Sequence, residues 1–190
     1  DDHPHLLETL TVPHAPPGGA VSLVERQVKV LRERQAASRE RLAELVRVAR
    51  DNESLTGRVH QLALRLLHAR TASEVEAQVM TSMHEDFAVT PVRLLQRAPD
   101  KAGLESLWSA GRPRCGHFAE HQRAALFGAE AAELRSMAII PLGAGATRGV
   151  LVLGSSDADR FNPGVSTDFL VRIGELVAAA LARCGVEPAV

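Results

Sequence analysis

Residues 20–70 contain no proline and a single glycine, Gly57, a run that constrains the fold more than any other part of the chain. Only a long helix uses such a stretch without interruption. Ser22, with Glu25 three residues on, forms a capping box at its start. Core positions then recur at alternating spacings of four and three, occupied by Val24, Val28, Leu31, Gln35, Ser38, Leu42 and Leu45. The pattern resumes in a shifted register as Val48, Asn52, Leu55, Val59, Leu62, Leu66 and Ala69. The step between the two registers, near 45–48, is a stammer-like discontinuity. Glu25, Arg26, Arg32, Glu33, Arg39, Glu40, Arg41 and Glu44 crowd the outer positions. These are the marks of a coiled-coil helix.

A continuous helix over 22–69 extends roughly 70 Å at the α-helical rise. A domain made from the remaining hundred or so residues has a radius of gyration of only about 14 Å. The far end of the ridge therefore needs a helix from elsewhere, and a second copy of the chain is the nearest source. The expectation is a homodimer through residues 22–69, with Gln35, Ser38 and Asn52 fixing register at some cost in stability. The alternative is a helical hairpin that breaks near Asp51–Asn52 or Gly57 and packs on itself.

Residues 1–19 read as a short helix followed by a Pro- and Gly-rich linker, 20–70 as the coiled-coil helix, and 71–190 as one domain. Within that domain Thr71 and Glu74 form a second capping box, opening a helix over 72–86. Pro91 ends helical structure, and strands are expected over 92–97 and 104–110. A helix over 117–127 turns Phe118, Ala125 and Leu126 inward. SMAIIPL and RGVLVLGS, separated by Gly143–Thr147, form a β-hairpin, and a last amphipathic helix runs over 165–183. Strands joined by tight turns make an antiparallel sheet, and the helices at 72–86 and 165–183 can share one of its faces. The fold class is α+β.

The C-terminal block resembles the second half of a GAF domain. The likeness rests on Pro141-Leu142, Gly149-Val150-Leu151, Gly154-Ser155, Asp157, Phe161, Phe169-Leu170 and Ala180-Leu181. A narrower resemblance covers nearly the whole chain. GGAVSLVERQVKVLRER, RCG with Gln122 and LFG, and LGSSDADRF are similar to an uncharacterised bacterial family catalogued as a domain of unknown function and regarded as GAF-like. The genes of that family often lie beside those of tyrosine recombinases. The resemblance implies a GAF-like antiparallel sheet flanked by helices. It also implies a module that senses a small molecule, binds a protein partner or only dimerises, with a stalk helix that relays change. Three features of known GAF chemistry are missing. The Asn-Lys…Phe…Asp-Glu constellation of cyclic-nucleotide binders fails, because Lys occurs only at 29 and 101. The adjacent Cys-His of bilin attachment is replaced by Cys115-Gly116-His117. The clustered cysteines of sulfoxide-reducing members reduce here to Cys115 and Cys184.

Candidate site residues are few. Cys115, His117 and His121 make a C-x-H-x3-H run, and imidazole and thiolate suit a transition metal if a further ligand such as His84 joins them. Surface histidines around a core Phe118 are the plainer account, and no metal is assigned. Cys115 follows Arg114 and precedes a helix, and both neighbours favour thiolate. A redox sensor or enzyme built on Cys115 is therefore an alternative. Arg93, Arg112 and Arg114 suit an anionic ligand or surface ion pairs. Trp108, the sole tryptophan, packs in the core or lines a pocket. The ligand-binding set is thus Arg93, Trp108, Arg114, Cys115, His117 and His121, with no cofactor identified.

Phosphate-loop, HExxH and GxSxG patterns are missing, so the chain is not expected to be an enzyme. Residues 22–70 carry eleven Lys and Arg against six Asp and Glu, yet the whole chain has a formal net charge of −1. The basic helix reads as a solvated face, and nucleic acid is not an expected partner. Two cysteines and no spanning apolar run point to the cytoplasm rather than a membrane. The expectation is a non-enzymatic, GAF-like sensory or scaffolding module that dimerises and takes a small molecule or a protein. An alternative is a structural dimer with a vestigial pocket, acting as adaptor for a DNA-recombination partner.

Overall fold

A computed structural model describes residues 23–96, 111–143, 149–164 and 167–185. The expected N-terminal helix and linker, the Ser22 cap, the strand over 104–110 with Trp108, and the hairpin loop lie outside the described residues. Helix α1 spans Leu23–His68 as one element of 46 residues, so the hairpin alternative does not hold. The chain divides into two compact units, one ending at Asp51 and the other beginning at Asn52.

In the first unit every described residue is exposed. Leu31, Leu42 and Leu45 are 62%, 62% and 64% exposed.

The second unit is built on a sheet of four described antiparallel strands. These are β1 (Val92–Leu95), β2 (Arg114–Gly116), β3 (Ser136–Pro141) and β4 (Val150–Ser155), in the order β1-β4-β3-β2. The two apolar runs of the sequence are the central strands, paired from Ser136 with Ser155 to Pro141 with Val150. They are continuous rather than alternating in hydrophobicity because both faces of the sheet are covered. On one face lie Val92, Leu94, Ala138, Ile140, Leu151 and Leu153. Three helices cover them: the C-terminal part of α1 through Val59, Leu62 and Leu66, α2 (Ala72–Glu85) through Val75, Val79 and Met83, and α4 (Asp168–Arg183) through Ile173, Val177 and Leu181. On the other face lie Met137, Ile139, Val150 and Val152. They are covered by α3 (Glu120–Phe127) and the 3₁₀ segment Gly128–Glu133, through Leu126, Phe127 and Ala131.

Local chemistry fixes these positions. The Thr71 hydroxyl accepts the Glu74 N–H at 3.2 Å, and the Glu74 carboxylate takes the Arg70 N–H at 2.7 Å, so α2 starts where the capping box places it. Gly174 lets α4 lie directly on β3, since a Cβ there would stand 2.8 Å from both Ile140 Cγ2 and the Pro141 oxygen. Gly149 opens β4 at φ +115°, where a Cβ would lie 2.4 Å from the Leu95 oxygen. The final turn of α1 is held from α4. Arg183 Nη1 donates to the Leu67 carbonyl at 2.9 Å, and its Nη2 donates to those of Leu66 and Ala69 at 2.7 and 2.6 Å. These are carbonyls that a helix C-terminus leaves without intrahelical partners.

Candidate functional site

The six residues singled out in the sequence do not come together among the described residues. In an extended strand consecutive side chains point to opposite faces. Arg114 and Cys115 are consecutive in β2, so they face opposite ways. Arg114 is registered with Ile139, Ile139 with Val152, and Val152 with Arg93. The two arginines thus share a face but stand on the two outer described strands, roughly 14 Å apart at the ordinary strand spacing. Arg93 is already engaged. Its Nη2 donates to Glu130 Oε2 at 2.7 Å, its Nη1 to the Val92 carbonyl at 2.9 Å, and its guanidinium lies 5.6 Å from the centroid of the Phe127 ring. Arg93 therefore ties β1 to the helices on that face, and the ion-pair account of it fits better than the anion-binding one.

Cys115 is half-buried against the larger core cluster. Burial pushes its thiol up from the ordinary value. The thiolate-favouring environment expected from Arg114 and a following helix is therefore corrected: Arg114 faces away and α3 begins only at Glu120. That start also removes His117 from the helix, where it was expected to share a face with His121. Both histidines are exposed, His117 in the connection before α3 and His121 on its first turn, and His84 is exposed on α2. No group of three His, Cys, Asp or Glu that could hold a metal exists among the described residues. Trp108 lies outside them.

A cleft of about 620 Å³ opens beside the N-terminus of α4, lined by Arg112, Pro141, Thr167, Asp168, Val171 and Glu175 among others. It brings one arginine together with two carboxylates, and of the arginines considered for an anionic ligand it includes only Arg112.

The larger surface feature is the seam on the N-terminal part of α1. With a and d as the core positions of the heptad, Val28, Gln35 and Leu42 occupy a, and Val24, Leu31, Ser38 and Leu45 occupy d. Its apolar members are all more than two-fifths exposed. The positions beside the seam hold Glu25, Arg32 and Arg39 at e and Gln27, Arg34 and Arg41 at g, so that from Leu31 to Leu42 both flanks are arginine. Apart from Glu25, at e in the opening turn, acidic residues sit away from it: Glu33 and Glu40 at f, opposite the seam, and Glu44 at c. Arg47, also at f, bonds to Glu44 at 2.6 Å and to Asp51 at 3.5 Å, and its hydrogen bond holds the Glu44 carboxyl below the usual range. The sequence shows the crowd of Glu and Arg on this helix; its sorting by sign becomes visible only when each residue is assigned a heptad position.

The fold defines an α+β protein in which a long N-terminal helix precedes an antiparallel sheet covered by helices. The chain belongs to the family described as "Protein of unknown function, DUF484", which matches residues 1–185. A comparison with curated proteins found no match. No helix among the described residues is long and apolar enough to cross a membrane.

Proposed function

We propose that the protein is a non-enzymatic, GAF-like scaffolding or sensory module of the cytoplasm. Its α+β unit is the folded platform, and the seam of α1 is the surface through which it pairs with a helix of another chain. One observation carries this reading. Leu31, Leu42 and Leu45 belong to the same alternation of three- and four-residue steps that continues through Val59, Leu62 and Leu66, yet the first set is exposed and the second is buried. A contiguous exposed apolar surface of this kind marks an interaction site. Burying it against a partner is favourable by about 25 cal/mol per Å² of apolar surface.

The scattering of Arg93, Arg114, Cys115, His117 and His121 favours the adaptor form of this reading over the small-molecule sensor. It also weighs against a reactive Cys115, since desolvation opposes the thiolate that such chemistry needs.

The test is light scattering with size separation, on the wild type and on the double variant Leu31→Glu/Leu42→Glu, over a range of concentrations and with extract of the native host added. The wild type is expected in a complex, as a dimer or with a different protein. The variant is expected to remain a single chain with unchanged thermal unfolding of the α+β unit. A wild type that stays a single chain under every condition contradicts the proposal.

A further inference from the structure

We infer that the seam of α1 is the docking site for an acidic amphipathic helix of a different protein, and that Arg32, Arg34, Arg39 and Arg41 select that partner. The inference rests on the reading that the seam pairs with another chain, and it names the occupant. The argument is one of charge complementarity. In coiled coils the e and g residues flank the apolar core and set partner choice and orientation. Here both flanks are basic from Leu31 to Leu42: Arg32 and Arg39 at e, Arg34 and Arg41 at g. Of the acids of the same stretch, Glu25 holds the first e position, in the opening turn of the helix, and Glu33, Glu40 and Glu44 lie away from the seam. Among the described residues its ion pairs join Arg47 to Glu44 and Asp51, and none includes the four flanking arginines.

A second copy of the chain meets this pattern badly in either direction. Side by side in register, a g residue faces the e residue five positions on in the twin, which sets Arg34 against Arg39. Head to tail, e faces e and g faces g, which sets Arg32 against Arg39 and Arg34 against Arg41. Like charges so placed are destabilising. They act chiefly on which partner is accepted, since repulsive contacts discriminate as effectively as attractive ones. A helix with Leu or Val on its own seam and Glu or Asp beside it converts each of these contacts into an attraction. Gln35 and Ser38, in successive core layers, add a demand for a polar residue opposite them and fix the register. A nucleic acid satisfies the arginines but leaves the valines and leucines between them uncovered, so the apolar seam argues for a protein helix.

The test uses the full chain and two labelled synthetic helices of about four heptads. Both carry Leu at a and d, one with Glu at every e and g position and the other with Lys. Fluorescence anisotropy at low salt is expected to give the Glu helix an affinity at least about 100-fold above that of the Lys helix, falling as salt rises. The double variant Arg34→Glu/Arg41→Glu is expected to narrow or reverse that preference. Leu31→Glu/Leu42→Glu is expected to bind neither helix while the α+β unit melts unchanged. Equal affinity for the two helices, or a charge variant that keeps the wild-type preference, overturns the inference. So does binding of a short DNA duplex that survives Leu31→Glu/Leu42→Glu. If neither helix binds but the wild type forms a dimer that those substitutions dissolve, the inference fails and the pairing role stands. If neither helix nor a second copy binds, both fail.

Discussion

Two stretches of one helix, 23–51 and 52–68, have the same kind of sequence and opposite surroundings. Each repeats apolar residues every three or four positions, and each belongs to α1. Leu42 is nevertheless 62% exposed while Leu62 is fully buried. The register step near 45–48 lies just before the division between the two units. The later register, Leu55, Val59, Leu62, Leu66 and Ala69, belongs to the chain's own core. The earlier one is where we propose that a second chain binds. A heptad pattern thus announces that a face will be covered, but not by whom.

The comparison breaks most visibly if the two leucines are truncated. Leu62→Ala is expected to cost the α+β unit about 2–5 kcal/mol, the range for a buried leucine. Chemical denaturation followed by circular dichroism checks it. Removing the clamp on the end of α1 should cost less. Arg183→Ala deletes three hydrogen bonds to the Leu66, Leu67 and Ala69 carbonyls, and about 1–2 kcal/mol of lost stability is expected. Faster amide exchange should appear at the C-terminal turn of α1 and not in 23–51.

Smaller still is the effect of pH through Cys115. Burial keeps this thiol protonated to higher pH in the folded chain than in the unfolded one. The unfolded state then loses its proton first as pH rises, so stability falls above the ordinary thiol value of about 8.5 and is unaffected below it. Denaturation midpoints of wild type and Cys115→Ala should run parallel to that point and converge or cross beyond it. The smallest effect is expected in the N-terminal stretch. Leu42→Ala, and Arg34→Glu with Arg41→Glu, should alter the stability of the dilute single chain by no more than about 0.5 kcal/mol. A Leu42→Ala cost equal to that of Leu62→Ala would erase the distinction between the stretches.

The secondary elements were legible wherever a local signal fixed them. Thr71 and Glu74 marked the start of α2, and the two apolar runs around Gly143–Thr147 gave β3 and β4 in antiparallel register. The last helix followed from the spacing of Phe169, Ile173, Val177 and Leu181. Two things were not legible. That the end of α1 enters the core depends on the three-helix cover of the sheet, which is a property of the assembled face. The candidate pocket failed for a local reason. The sequence sets Cys115 between Arg114 and a helix as if both acted on its thiol, whereas Arg114-Cys115-Gly116 is a strand, which sends neighbouring side chains to opposite faces. The sequence also places His117 in the helix that in fact starts three residues later, at Glu120.

Hydrogen–deuterium exchange along α1, measured on the full chain when dilute and alone and again when saturated with its binding partner, tests the division of this helix most directly. Amides over 55–68 should be equally protected in both conditions. Those over 24–48 should exchange fast when dilute and become protected only on pairing. Strong protection of 24–48 in the dilute single chain, equal to that of 55–68, would contradict the account.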